Sequence, residues 1–123
     1  MARILLAEDE EPLRAMLVRA FASEHTVTAA SDGAEALDKL VEANGEFDLL
    51  LTDIRMPMMD GIALALSAAR DFPKLTILMM TGYADQRERA HGLDALIHDV
   101  IAKPFSLAQI RGAVNEALTA ARN

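Results

Sequence analysis

Apolar positions along this chain follow two rhythms. In one, they come as short unbroken runs: Ile4, Leu5 and Leu6, then Leu49, Leu50 and Leu51, with a further stretch from Leu75 to Met80 broken only by Thr76. Runs of that length, without alternation, read as strands buried on both faces. The pattern predicts strands at Arg3–Ala7, His25–Ala30, Asp48–Thr52, Leu75–Met80 and Ile97–Ala102.

The other rhythm is helical. Leu13, Met16, Leu17, Ala20 and Phe21 make one apolar face, and Pro12 suits the first turn before them. Asp32 is placed to cap the next helix, with Glu35 as its capping-box partner. Ala36, Leu37, Leu40 and Val41 are expected to face inward there, and Asn44-Gly45 to close the helix. Pro57 and Gly61 mark a loop; a helix follows from about Ile62 to Asp71, ended by Pro73. From Asp85 to about Gly92 the chain is highly charged and predicts a mobile, poorly amphipathic helix. Ser106 and Gln109 form a second capping box, ahead of a last helix whose apolar line is Leu107, Ile110, Val114 and Leu118.

Strand and helix thus alternate five times. Buried strands separated by helices mean an α/β fold, a five-stranded parallel sheet with five helices divided over its two faces. Right-handed crossovers leave few topologies. No repeat, low-complexity segment or linker interrupts the 123 residues, so one domain over 1–123 is expected.

Composition narrows the function. A formal net charge of −7 leaves no basic face for nucleic acid. Trp is absent and Tyr occurs once, so bases have no stacking platform. Without cysteine there are no disulfides, thiolate metal sites or cysteine nucleophiles. No apolar run has membrane-spanning length, and the short one at the N-terminus leads directly into acidic residues. The expectation is a cytoplasmic protein that binds neither membrane nor nucleic acid.

In an open parallel sheet, ligands bind at the carboxyl ends of the strands. Here those ends carry Glu8, Asp9, Glu10 and Glu11 after the first strand, Asp53 after the third, Thr81 and Gly82 after the fourth, and Lys103 and Pro104 after the fifth. Two carboxylates ~4 Å apart at an effective dielectric of ~20 repel by about 4 kcal/mol. Such a cluster needs positive charge. Lys103 offsets one unit, and a hard divalent cation, Mg²⁺ above all, suits the rest. An aspartate in such surroundings can attack phosphorus, with Mg²⁺, lysine and hydroxyl stabilising the phosphoryl in transfer.

These residues also carry a resemblance. Asp53, Met56, Pro57, Met59, Asp60 and Gly61 match the D-x-x-M-P-x-M-D-G motif of bacterial two-component response-regulator receiver domains. Glu8-Asp9 resembles their acidic pair, Thr81-Gly82 their switch threonine with its small neighbour, and Lys103-Pro104-Phe105 their K-P-F, whose Lys–Pro bond is typically cis. The resemblance covers essentially the whole chain and implies a flavodoxin-like (CheY-like) three-layer αβα fold of sheet order 2-1-3-4-5. It implies that Asp53 is the phosphoacceptor, that Thr81 and Lys103 contact the phosphoryl group, and that Glu8, Asp9, Asp53 and the backbone carbonyl of Arg55 hold Mg²⁺.

It further implies a histidine kinase or histidine phosphotransfer protein as donor, a separate output protein, and a monomer or weak dimer. The domain would catalyse only its own phosphotransfer and dephosphorylation. The switched face would lie on the 85–92 helix, the fifth strand and the last helix, with Tyr83, Val100 and Pro104 as its marked positions. Val100 departs from the family: many receivers carry a Tyr or Phe there that swings inward, and Tyr83, two residues after Thr81, is expected either to substitute in part or to form an output surface. Ile4-Leu5-Leu6-Ala7-Glu8-Asp9 and Thr81-Gly82-Tyr83-Ala84, with no output domain in the sequence, are similar to the CpdR group of alphaproteobacterial regulators, which implies adaptors of ClpXP proteolysis.

Each marked residue also has a plainer reading. Asp53 can cap a turn, Glu8 and Asp9 can belong to a solvated acidic loop, Thr81 can simply end a strand, and Lys103 can be a surface lysine. Met56, Met59, Met79 and Met80 read as packing residues, and His25, His91 and His98 share no metal-ligand spacing. Rival functions fit less well. A dehalogenase-type phosphatase wants a second aspartate where Arg55 stands. A flavin-mononucleotide binder wants a phosphate-cradling loop where Glu8 to Glu11 would repel it. A phosphate-independent interaction module, or a receiver fragment of a larger regulator or hybrid kinase, stays open as the alternative.

Overall fold

A computed structural model of the chain describes residues 1–83, 90 and 92–122. Five strands, β1 (Arg3–Ala7), β2 (Thr26–Ala30), β3 (Leu49–Asp53), β4 (Thr76–Thr81) and β5 (Asp99–Ala102), form one sheet. Its order is β2-β1-β3-β4-β5, and every pairing is parallel. Among the described residues four helices connect or follow the strands: α1 (Glu11–Ala22), α2 (Gly33–Glu42), α3 (Gly61–Asp71) and α4 (Leu107–Arg122). The further helix expected over 85–92 falls on residues outside the described ones, Ala90 and Gly92 apart.

The unbroken apolar runs are explained by two cores. Successive strand side chains point to opposite faces. Leu5, Leu50, Ile77 and Met79 pack with Ala36, Leu40, Leu64 and Ala68 on the α2–α3 side. Ile4, Leu6, Leu49, Leu51, Leu78 and Met80 pack with Leu17, Phe21, Ile110 and Val114 on the α1–α4 side. Each run therefore serves both layers, which is why it does not alternate with polar residues.

Local signals set the helix ends. Asp32 accepts the Glu35 amide at 2.8 Å, but the Glu35 carboxylate reaches past Asp32 to the amide of Ser31 at 3.1 Å. Asn44, at φ 53°, takes the left-handed position after α2. Its amide donates to Val41 at 3.0 Å and that of Gly45 to Leu40 at 2.8 Å, so two terminal carbonyls are satisfied. The Ser106–Gln109 box closes in both directions, at 3.0 and 2.7 Å.

Two inward expectations fail. Val41 is 60% exposed and Leu107 is 38% exposed. Each sits in a terminal turn of its helix. The buried positions are Gly33, Ala36 and Leu40 in α2, and Ile110, Val114, Ala117 and Leu118 in α4. No helix among the described residues is long and apolar enough to cross a membrane.

Candidate functional site

Parallel pairing sends all strands out of the sheet at one edge. There β1 continues into Glu8 and Asp9, β3 ends on Asp53, β4 ends on Thr81, and β5 continues into Lys103. The sheet order puts β3 between β1 and β4, so Asp53 is central. Carboxylate oxygens of Glu8, Asp9 and Asp53 lie within 4.8 Å of one another. Glu8 and Asp53 are buried, and Asp9 is exposed.

Lys103 ties this cluster together. Its Nζ donates to Glu8 Oε1 and to Asp53 Oδ2, both at 2.9 Å. The remaining oxygens are also engaged: Ile54 donates its amide to Asp53 Oδ1 at 2.8 Å, and Glu10 donates its amide to Glu8 Oε2 at 3.0 Å. Burial pushes the Glu8 carboxyl up to about 7, against the Glu10 amide and Lys103, which favour its charged form, and with the repulsion of Asp53. Burial disfavours the Lys103 ammonium, yet the hydrogen bonds to Glu8 and Asp53 outweigh that and hold its pKa above the ordinary lysine value. The bond from Lys103 to Pro104 is cis, as in the motif it resembles.

Thr81 is buried at the end of β4. Its Oγ1 faces the backbone of Tyr83, accepting that amide at 3.1 Å and lying 3.5 Å from that carbonyl. The Tyr83 ring is half exposed and carries the Arg55 guanidinium 4.9 Å above its centroid. Asp9, Asp53, Arg55, Tyr83, Lys103 and Pro104 all line one open cavity of about 840 Å³, whose apolar wall includes Leu13 and Phe105. Val100 stands apart: it is buried in β5 and packs in the α2–α3 core.

The loop after Asp53 is held by close approaches. Asp60 caps α3 through the Ala63 amide at 2.8 Å. A methyl group on Gly61 would come 2.1 Å from the Asp53 carbonyl oxygen, so the loop can return over the site only with glycine there. Gly33 plays the matching part at the start of α2: its amide donates to the Met59 carbonyl at 3.2 Å. Met56 is buried beneath the loop, whereas Met58 is 85% exposed at φ 69°.

Sequence reasoning did not anticipate three supports. Arg14 donates to the Glu8 carbonyl at 2.9 Å, Thr52 donates its hydroxyl to the Asp53 carbonyl at 2.8 Å, and Gly33 anchors the loop. The first had a legible trace, a cation in the second turn of the helix following the acidic pair. His25 is engaged structurally, its Nδ1 accepting the Ala2 amide at 3.0 Å, and His98 lies 3.9 Å from Glu116. His91 lies outside the described residues.

Chemically, three hard oxygen donors on one edge, one of them exposed, fit a small divalent cation that retains water. The lysine, the buried hydroxyl and the cavity beside them fit an incoming phosphoryl group.

Comparison with known proteins agrees with this reading. The family model for the response regulator receiver domain matches residues 4–115. The response regulator receiver protein CpdR of Brucella abortus is 40% identical over 122 residues, which are 98% of this chain and 100% of that protein. The sensor kinase CckA of the same species is 39% identical over 119 residues, 95% of this chain and 12% of the kinase. This chain therefore spans a small part of one such relative and the whole of another. A response regulator receiver domain protein from Clostridium thermocellum superposes with a TM-score of 0.89 at 21% identity, over 99% of this chain and 98% of its own, a likeness of fold. The response regulator TrrA from Thermotoga maritima, in complex with Mg²⁺-BeF, superposes with a TM-score of 0.83 at 25% identity, over 95% and 99%.

Proposed function

The chain belongs to the response regulator receiver family of two-component systems, and we propose that Asp53 accepts a phosphoryl group here from a histidine of a kinase or phosphotransfer protein. The observation that carries this is the convergence of Glu8, Asp9, Asp53 and Lys103 at one sheet edge, where Asp9, Asp53 and Lys103 line one cavity.

In this proposal Glu8, Asp9, Asp53 and the Arg55 carbonyl hold Mg²⁺, which when bound supplies positive charge to the phosphoryl oxygens during transfer. An Asp53 carboxylate oxygen attacks the phosphorus, forming an acyl phosphate as the P–N bond to the donor imidazole breaks. Lys103, already 2.9 Å from Asp53 Oδ2, stays to pair with the phosphoryl oxygens. The hydroxyl of Thr81 turns from the Tyr83 backbone to donate to the same group. The product carries roughly −1.5 to −2 charges if it behaves like other phosphorylated side chains, enough to shift the population between two arrangements of the strand ends.

The switched face then acts on a separate output protein in the cytoplasm. The likeness to CpdR supports a protease-adaptor role toward ClpXP or its substrates. The likeness to CckA supports the alternative, a receiver segment within a hybrid kinase. Intact mass after incubation with acetyl phosphate and Mg²⁺, beside Asp53→Asn, tests the core of the proposal. One phosphoryl added to the wild type alone, and lost on chelation, is expected. No addition from acetyl phosphate or from candidate kinases, in folded protein, would leave a phosphate-independent interaction module.

A further inference from the structure

The Arg55–Tyr83 stack has no part in the chemistry above, yet both its ends touch the site. Arg55 follows Asp53 by two residues, and Tyr83 follows Thr81 by two. Ring and guanidinium meet at 4.9 Å over the cavity that Asp53 and Lys103 also line. Among the described residues Arg55 makes no ion pair, and its guanidinium lies over the ring. The Tyr83 backbone in turn is held by Thr81 Oγ1, at 3.1 Å from its amide and 3.5 Å from its carbonyl.

We infer that the Arg55–Tyr83 stack is a latch, which phosphorylation of Asp53 opens from both ends. The inference rests on the reading of Asp53 as phosphoacceptor and adds a named moving part to it. A hydroxyl has one proton. When Thr81 donates it to a phosphoryl oxygen, it leaves the Tyr83 carbonyl, and its rotation withdraws the acceptor from the Tyr83 amide. The backbone that positions the ring is thereby released. At the other end, the guanidinium is a flat fork suited to phosphate oxygens, and a dianionic neighbour draws it more strongly than a half-exposed ring. Val100 supplies no aromatic in β5, and Tyr83 is the aromatic residue whose backbone Thr81 holds directly.

The chain offers a clean probe, because Tyr83 is its one tyrosine and it has no tryptophan. Proton NMR of the whole protein would follow cross-peaks between the Tyr83 ring and the Arg55 side-chain methylenes, with and without Mg²⁺ and beryllofluoride as phosphoryl mimic. The cross-peaks are expected in the free protein and lost with the mimic bound. They should persist in Asp53→Asn treated in the same way. In free Arg55→Ala, the ring resonances should move toward those of the mimic-bound wild type. Bound beryllofluoride, seen by its fluorine signal, with the Arg55–Tyr83 cross-peaks intact would overturn the latch and leave Asp53 as phosphoacceptor. No bound fluorine signal, together with no phosphoryl mass from acetyl phosphate, would remove the phosphoacceptor reading and the latch with it.

Discussion

Lys103 Nζ donates to Asp53 Oδ2 at 2.9 Å, across fifty residues of sequence. The same nitrogen bonds Glu8, so one cation separates two buried carboxylates. Lys103→Met would leave that pair facing each other without compensation. Removing one partner of a buried pair costs about 3 kcal/mol or more. Urea unfolding in the absence of Mg²⁺ should show a loss of that order, and acetyl-phosphate labelling of Asp53 should fall with it. Full stability in the variant would mean that Lys103 does not neutralise the cluster.

The buried Glu8 sets a pH dependence. Its carboxyl titrates near 7 in the folded chain, against 4.5 as its ordinary value. The folded state thus holds this proton more tightly than the unfolded state, and the stability it contributes is present below about 4.5 and lost as pH rises to about 7. Without divalent cation, wild-type stability should decline between pH 5 and pH 8, by on the order of 1–3 kcal/mol from this group. The decline should flatten in Glu8→Gln. At pH 8, Mg²⁺ at a hundred times its dissociation constant should restore about 2.7 kcal/mol, and Asp9→Ala should weaken that gain. A slope unchanged in Glu8→Gln would assign the titration to another group.

Met58 spends its backbone in the left-handed region, at φ 69°, with its side chain in solvent. A side chain with a Cβ loses about 1 kcal/mol there relative to glycine. Met58→Gly, and to a lesser degree Met58→Asn, should therefore raise the urea midpoint, reflecting a gain of up to about 1 kcal/mol in unfolding free energy. A lower midpoint for both would show that the methionine side chain stabilises the loop.

Two glycines should respond in opposite directions. A methyl group at Gly33 would meet the Met59 carbonyl oxygen at 2.2 Å, so Gly33→Ala must push the loop off α2 and should cost about 1–3 kcal/mol. At Gly112, inside α4, a methyl group would find no neighbour within 4 Å. Gly112→Ala should stabilise by about 1 kcal/mol through helix propensity. Thermal unfolding of the two variants beside wild type decides both.

Much of this was readable in the chain. The leucine runs located the strands because a central parallel strand needs apolar residues on both sides, and the strand ends then gathered Glu8, Asp53, Thr81 and Lys103 on one edge. Capping residues Asp32 and Ser106 located helix starts because their bonds are local in sequence. What escaped was decided by the third dimension. Helical periodicity cannot tell that Val41 and Leu107, in the terminal turns of their helices, stay exposed. Glu35 bonds Ser31 because of how the chain enters α2, and Arg14 finds the Glu8 carbonyl only once α1 is docked. The bonding of the Thr81 hydroxyl to the Tyr83 backbone is a local turn that threonine forms only weakly, so it carries little weight in a sequence reading.

The two apolar layers end where the carboxylates begin. Buried leucine and methionine occupy the sheet interior, while every group proposed to meet phosphate sits beyond the last strand residue or on it. Apart from the buried Glu8 and Asp53 and their partner Lys103, which also set stability, folding and the proposed signalling draw on separate sets of positions. On the proposed function, substitutions along the rim would alter phosphoryl transfer or output while the scaffold stays fixed. The converse also holds: a polymorphism deep in the leucine layers should change how much protein a cell accumulates before it changes what the protein responds to.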